Sequence, residues 1–157
     1  MAIIQLETYI EAPIERVFDL ERSIDLHKIS AKHTREEAIA GKTTGLIGPG
    51  ESVTWRAKHF GISQELTAIV TDFDRPTLFA DKMLKGAFAS MQHRHCFETQ
   101  GNGTLMKDTF EFKTPLGILG RLVEQLFLKA YMIRFLERRN AVLKATAESD
   151  RWKEILG

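Results

Sequence analysis

One stretch near the C-terminus decides the fold. Residues 118–148 read ILGRLVEQLFLKAYMIRFLERRNAVLKATAE, a run that contains no proline and one glycine, Gly120. Apolar residues recur along it at steps of three and four, as on one face of an α-helix: Leu119, Leu122, Val123, Leu126, Ala130 and Ile133. The spacing predicts a continuous helix of about 30 residues, or roughly 45 Å.

The chain before this helix alternates between apolar and polar residues in short runs, a pattern typical of β-strands. Residues 3–11 form the first run. Two short helices are predicted next, one opened by Pro13, where the missing N–H costs nothing, and one over about 24–30. Further strands are predicted near residues 34–40, 51–60, 62–73, 77–85, 91–100 and 104–114.

The connections between these later strands are short, which predicts antiparallel neighbours, because a parallel crossover needs about a dozen residues or more. A long sheet with one apolar face must cover that face, and the terminal helix is long enough to do so. We therefore predict an α+β fold in which a curved antiparallel sheet of about seven strands wraps around the long C-terminal helix. A gap between sheet and helix would be a ligand cavity.

The length and composition of the chain limit the classes of protein to which it can belong. The 157 residues favour a single domain over residues 1–148, followed by a C-terminal tail over residues 149–157. Lys and Arg total 22 against 21 for Asp and Glu, so the composition does not indicate the basic surface of a nucleic-acid-binding protein. The N-terminal residues lack a signal-peptide pattern, and no apolar run approaches membrane-span length. We expect a cytoplasmic location and no stable membrane insertion.

Three stretches resemble the START-like superfamily, also called the polyketide cyclase/dehydrase and lipid transport (SRPBCC) group. They are IEAPIERVFDL at 10–20, HRHCFE at 93–98 with GTLMKD at 103–108, and PLGILG at 115–120. The resemblance runs from residue 4 to about residue 148 and implies the helix-grip fold. Members of the superfamily include binders of lipids, quinones and plant hormones, aromatic polyketide cyclases and chaperone activators. The fold therefore leaves the function open.

Strand parity predicts which side chains face the cavity, because successive residues of a strand point to opposite faces. The charged residues fall mostly on the outer face and the aromatic and aliphatic residues on the inner face. Parity is ambiguous in 62–73, which a β-bulge would explain. The predicted ligand-binding residues of the strands and turns are Val53, Trp55, His59, Phe79, Asp81, Met83, Phe88, His93, His95, Phe97, Asp108, Phe110 and Phe112. Those of the helix are Leu119, Val123, Leu126, Phe127 and Ala130.

Five of the inward residues are polar: His59, Asp81, His93, His95 and Asp108. Inward polar groups are costly unless they are paired, so they either form a structural network or address a ligand. The spacing of the two histidines of 91–100 could hold a metal ion with a nearby carboxylate. No further Cys or His motif supports that hypothesis, and we predict neither a metal nor another cofactor.

We predict that the protein binds or transports a small hydrophobic molecule, such as a lipid, an isoprenoid or an aromatic compound, without catalysing a reaction. One alternative is an enzyme of the polyketide cyclase or dehydratase type, in which His95, Asp108 and Asp81 would perform acid–base chemistry. The other is a protein-interaction module. Leu128, Met132 and Phe135 fall on the side of the helix away from Leu126, where they would form a homodimer contact or pack within the protein.

Overall fold

The computed structural model describes the backbone of residues 1–157 and the side chains of residues 1–123 and 126–157. Its strands are β1 Ala2–Ile10, β2 Glu37–Gly41, β3 Ser52–His59, β4 Ile62–Asp74, β5 Leu78–Lys85, β6 Ser90–Gln100 and β7 Gly103–Lys113. They form one antiparallel sheet in the order β1-β7-β6-β5-β4-β3-β2. The predicted seven-stranded sheet is confirmed, and each predicted strand over residues 51–114 lies within about two residues of its observed bounds.

The helices are α1 Ile14–Glu21, α2 Ile24–Ser30, α3 Gly117–Val123, α4 Lys129–Ala147 and α5 Trp152–Leu156. Pro13 precedes the first turn of α1, as predicted. Ser23 caps α2, because its hydroxyl oxygen accepts a hydrogen bond from the backbone N–H of Leu26. These two short helices connect the edge strand β1 to β2 at the opposite edge of the sheet.

The predicted parity of the strands agrees with their burial. On β6, His93, His95 and Phe97 are buried, whereas the intervening Gln92 and Arg94 are exposed. On β4, where parity is ambiguous in the sequence, the pairing with β5 shifts register after Thr67 and again after Val70. An irregularity of this kind changes which residues face inward along a single strand.

The C-terminal helix is divided, which corrects the prediction of one continuous helix. A π-helical turn, Glu124–Leu128, separates α3 from α4. A π turn holds more residues than an α turn, so the helix face that follows it is rotated from the face that precedes it. The buried residues of α4 are Met132, Phe135, Leu136, Asn140, Leu143, Thr146 and Ala147.

The predicted inward face of this helix is wrong, because the opposite side, which carries Met132, Phe135 and Leu136, faces the core. Four residues of that face are exposed instead: the exposed fraction is 63% for Leu119, 61% for Leu126 and 66% for Phe127, and Ala130 is exposed as well. The outward stripe is wrong as well, since Met132 and Phe135 are buried and Leu128 is half-buried. These three residues pack within the molecule, which is one of the two arrangements predicted for them, and this leaves little of their surface for the alternative homodimer contact.

The core lies on the inner side of the sheet, under α1, α2 and α4. Phe18 of α1 is fully buried and meets the rings of Phe73, Phe79 and Phe97 edge-to-face. At the other end of α4, α5 packs back onto α1, with the guanidinium of Arg16 lying 4.2 Å from the centre of the Trp152 ring. No described helix is both long and apolar enough to cross a membrane.

Candidate ligand cavity

A cavity of about 410 Å³ lies between the inner face of the sheet and α4. This volume falls in the range of about 300–1,000 Å³ that is usual for small-molecule sites. The walls come from β3, β4, β5, β6 and β7 on one side and from α4 on the other. The antiparallel register determines which strand residues reach the cavity, since alternate residues point inward.

Most of the predicted strand residues line this cavity. They are Val53, Trp55, His59, Phe79, Asp81, Phe88, His93, His95 and Phe110, and Val123 of α3 lines it as well. Met83, Phe97 and Phe112 pack instead into the hydrophobic clusters around it, and Asp108 lies behind the two histidines of β6. Leu119, Leu126, Phe127 and Ala130 do not line it. That the lining residues contact a ligand stays a prediction.

The sequence analysis missed the part of the wall that the helices supply. These residues are Glu21 of α1, His27 of α2, Glu36 before β2, and Tyr131, Met132, Phe135, Leu136 and Arg139 of α4. A second apolar series, at residues 132, 135, 136 and 143, is visible in the sequence at helical spacing. It could have revealed the true inner face of α4, whereas no local pattern marks Glu21, His27 or Glu36 as cavity residues.

Asp108 is the centre of a buried polar network. His93 Nε2 and His95 Nδ1 each lie 3.0 Å from its Oδ1. The hydrogen bonds from these two rings lower the pKa of Asp108 despite the opposing effect of burial, so its carboxylate is ionised. An ionised carboxylate only accepts hydrogen bonds, so both ring nitrogens carry a proton and donate it. From α4, Asn140 Nδ2 donates to Oδ2 at 2.8 Å.

The two histidines titrate in opposite directions. Burial and the neighbouring charge of His95 lower the pKa of His93 to about 4, so His93 is neutral near pH 7. Burial also disfavours the charged form of His95, but its hydrogen bond to Asp108, the Asp81 carboxylate 3.7 Å away and the charge of Glu21 raise its pKa to about 10. His95 is therefore an imidazolium near neutral pH, held between carboxylates on three sides.

Arg139 of α4 continues this network toward α1. Its guanidinium lies 3.9 Å from Oε1 of Glu21, which lies 3.3 Å from His95 Nδ1. Burial raises the pKa of Glu21, although the charges of His95 and Arg139 oppose the change. Among the described residues, the buried Nε of Arg139 has no hydrogen-bond partner. This end of the cavity therefore carries donor and acceptor groups whose hydrogen-bonding capacity is only partly used.

A second pair of polar residues, His27 and Glu36, also lines the cavity. The ring of His27 stacks on Trp55 at 4.0 Å between centres, and its Nε2 lies 2.7 Å from Glu36 Oε1. Burial lowers the pKa of His27, whereas the pKa of Glu36 is lowered because His27 and Arg139 together outweigh burial. A neutral His27 thus donates to an ionised Glu36. Farther along the cavity, His59 is hydrogen-bonded to the hydroxyl of Tyr131.

Among the residues whose side chains are described, two sets are close enough to share a metal ion: Asp81 with His93 and His95, and Glu21 with His95 and Asp108. Both sets depend on His95. A histidine binds a metal through an unprotonated nitrogen, so the raised pKa of His95 opposes metal binding at neutral pH. The geometry and charges of these residues favour a hydrogen-bonded network.

Comparisons with known proteins agree with this architecture. A family model described as polyketide cyclase/dehydrase and lipid transport matches residues 1–148. The solved structure of the protein TTHA0849 from Thermus thermophilus superposes with a TM-score of 0.76 at 21% identity, covering 98% of each chain. A START superfamily protein from Mycobacterium smegmatis gives 0.70 at 13% identity, covering 93% of this chain and 97% of that one.

A plant protein has the same fold. Major latex-like protein 151 from Panax ginseng superposes with a TM-score of 0.69 at 14% identity, covering 94% of this chain and 98% of that one. Identities this low show the fold alone. No curated protein sequence matches the chain.

Proposed function

The chain belongs to the polyketide cyclase/dehydrase and lipid transport family, and we propose that it binds or transports a small hydrophobic molecule in the cavity between the sheet and α4. The observation that carries the proposal is the cavity itself, which has about 410 Å³ of free space and walls built mainly from apolar side chains. Apolar contact would supply the affinity, at about 25 cal/mol for each Å² removed from water, less the cost of immobilising the ligand.

The polar groups of the cavity support a ligand with one polar end. Glu21, His27, Glu36 and Arg139 all line the cavity, and the charge of Arg139 acts on the other three. The remaining walls offer aromatic and aliphatic side chains, among them Trp55 and Phe110. A lipid, an isoprenoid or an aromatic compound with a hydroxyl or carbonyl group would match this distribution, with its oxygen at the polar wall.

The pKa values support binding over acid–base catalysis. A catalytic acid or base works best when its pKa lies near the working pH. His93, with a pKa of about 4, and His95, with a pKa of about 10, lie well to either side of neutrality. Of the other two candidate catalytic residues, Asp108 is an ionised acceptor of three hydrogen bonds, and the neighbouring His95 and His93 lower the pKa of Asp81 despite its burial.

Binding of Nile red, a neutral probe that fluoresces in apolar surroundings, would test the proposal, together with native mass spectrometry of the purified protein. Ala68→Phe places a ring in the cavity, which Ala68 lines, and we expect it to weaken probe binding about tenfold or more. Ala141→Phe adds the same ring to an exposed position of α4 and should leave binding unchanged. Equal binding by the two variants would contradict the proposal.

A further inference from the structure

A large apolar surface lies at one end of the molecule and has no partner among the described residues. Its main part is the segment 116–127, where Leu116, Ile118, Leu119, Leu122, Leu126 and Phe127 are all exposed, Ile118 to 86% and Phe127 to 66%. Scattered exposed apolar residues are ordinary on soluble proteins, but a contiguous group of this kind marks an interaction site. The segment packs mainly on its own π turn and leaves this surface uncovered.

Two strand turns bring further exposed apolar residues to the same end. The register places them together, because Lys58 pairs with Ser63, Thr67 with Lys85, and Ser90 with Lys113. The β3–β4 turn therefore lies at the same end of the sheet as the β5–β6 turn and the start of α3. These turns add Phe60, Ile62 and Leu84, each more than half exposed. We call the whole set, from these turns and segment 116–127, the apolar rim.

The apolar rim is continuous with the cavity. Phe60, Phe88 and Val123 line the cavity, and Phe60 and Val123 are also exposed at the surface. The ring of Phe60 lies 4.6 Å from that of Tyr131, whose hydroxyl bonds to His59 inside. A partner seated on the apolar rim would therefore contact the part of the cavity wall that reaches the surface, at Phe60 and Val123.

Where the structure describes the side chains of these turns and of segment 116–127, the charged ones are basic. Exposed or half-buried basic side chains stand at Lys58, Lys85, Lys113, Arg121 and Lys129. The described parts of this surface, residues 58–62, 84–90, 113–123 and 126–129, contain no Asp or Glu. The nearest exposed carboxylate that the structure describes on β4 is that of Glu65. Apolar side chains inside a basic border match an anionic membrane surface, whose headgroups attract Lys and Arg while its acyl region accepts the apolar residues.

We propose that the apolar rim docks the protein reversibly on anionic phospholipid membranes, with the cavity entrance facing the bilayer. A second copy of the chain would fit this surface less well than an anionic membrane. A two-fold interface would place the same basic residues against each other, and like charges across an interface repel. The inference goes beyond the proposed ligand binding, because it identifies the surface with which the protein meets the source of a hydrophobic molecule.

Sedimentation with vesicles tests this docking with the full chain. Vesicles of phosphatidylcholine mixed with phosphatidylglycerol should carry down the protein, and vesicles of phosphatidylcholine alone should carry down much less. Leu122→Asp should lower the partition coefficient about tenfold or more, whereas Ile29→Asp, on the equally exposed Ile29 of α2, should not. Raising the salt concentration should weaken binding, because screening reduces the attraction of the basic residues.

Charge reversal gives a second, independent variant. Lys85→Glu combined with Lys113→Glu should reduce binding to the mixed vesicles without touching the apolar residues. Failure of the wild type to sediment, or equal sedimentation of Leu122→Asp and Ile29→Asp, would overturn the proposal. So would a dimer in analytical ultracentrifugation that Leu122→Asp dissociates, because a second copy would then cover the rim. Nile red binding by Leu122→Asp without vesicles reports on the cavity separately, so the two proposals can fail independently.

Discussion

Asp108 is the residue on which the buried network depends. It accepts hydrogen bonds from His93, His95 and Asn140, which belong to a strand and a helix on opposite sides of the core. A buried carboxylate is tolerated only when its charge and lone pairs are matched, and here the imidazolium of His95 and two neutral donors match them. The network thereby joins β6 and β7 to α4 beside the cavity.

Asp108→Asn tests this dependence. An amide cannot offer two strong acceptors to the rings and the Asn140 donor, and it leaves the charge of His95 less compensated. We expect a loss of about 3–5 kcal/mol in the free energy of unfolding, measured by urea denaturation. Asp72→Asn makes the same change in an exposed carboxylate paired with Arg94 and should cost less than about 1 kcal/mol. Similar losses in the free energy of unfolding for both variants would show that the buried network does not depend on Asp108.

The opposed pKa shifts of the two histidines predict how stability depends on pH above neutrality. The pKa of His95 is raised from 6.5 to about 10, so its contribution is complete below pH 6.5 and is lost as the pH rises toward 10. Urea unfolding between pH 6.5 and pH 10 should therefore show a falling free energy of unfolding. His95→Gln should flatten this alkaline decline; a decline that persists unchanged would assign it to other groups.

Below pH 6.5 the free energy of unfolding should also fall, here because a histidine pKa is lowered rather than raised. The pKa of His93 is lowered from 6.5 to about 4, so the unfolded chain binds a proton that the folded chain does not, and stability is lost as the pH falls from 6.5 toward 4. His27, His33 and His59 are also shifted down and act in the same direction. His93→Gln should make the decline between pH 6.5 and pH 4 shallower, without changing the alkaline side. An unchanged slope on the acid side would contradict this assignment.

At the scale of elements, the division of the C-terminal helix determines what each part does. α4 presents Met132, Phe135 and Leu136 to the cavity, whereas α3, on the other side of the π turn Glu124–Leu128, presents its apolar residues to solvent. On a regular helix residues 132, 135 and 136 already fall on the side away from residues 119 and 126, so the sequence analysis chose the wrong one of two apolar faces. The same break separates the cavity wall from the apolar rim.

Two leucines of this region distinguish the observed face from the predicted one. Leu136→Ala removes a buried side chain and should lower the free energy of unfolding by about 2–5 kcal/mol. Leu126→Ala removes the same atoms from an exposed position and should change it by less than about 0.5 kcal/mol. Urea denaturation of the isolated protein measures both. A larger loss for Leu126→Ala than for Leu136→Ala would restore the inward face that the sequence analysis predicted.

At the scale of the whole molecule, the sheet and α4 enclose the cavity between hydrophobic clusters on either side. One cluster joins Phe18, Met106 and Leu143, and another joins Phe112, Phe135 and Leu136. Neither cluster fills the space between Trp55 and Arg139, which the cavity occupies. A ligand placed there would complete the core, so ligand binding and thermal stability should be linked.

Thermal unfolding measures that linkage. A ligand at about a hundred times its dissociation constant adds about 2.7 kcal/mol, which raises the melting temperature of a domain of this size by roughly 5–11 °C. We expect such a rise with a bound hydrophobic ligand in the wild type and in Ala141→Phe, but not in Ala68→Phe. A rise of equal size in Ala68→Phe would place the binding site outside the cavity.

The sequence by itself determined the order of the elements and the inward parity of the strands. A period of two, interrupted by turn residues, is a local property, and Trp55, His93 and His95 are inward because of it. Tertiary structure decided which of the two apolar faces of the C-terminal helix is buried, and it assembled the polar end of the cavity. The sequence shows both apolar faces of the helix, whereas Glu21, His27 and Arg139 meet only because α1, α2 and α4 pack together. Periodicity relates near neighbours in the chain, whereas this site joins residues more than a hundred positions apart.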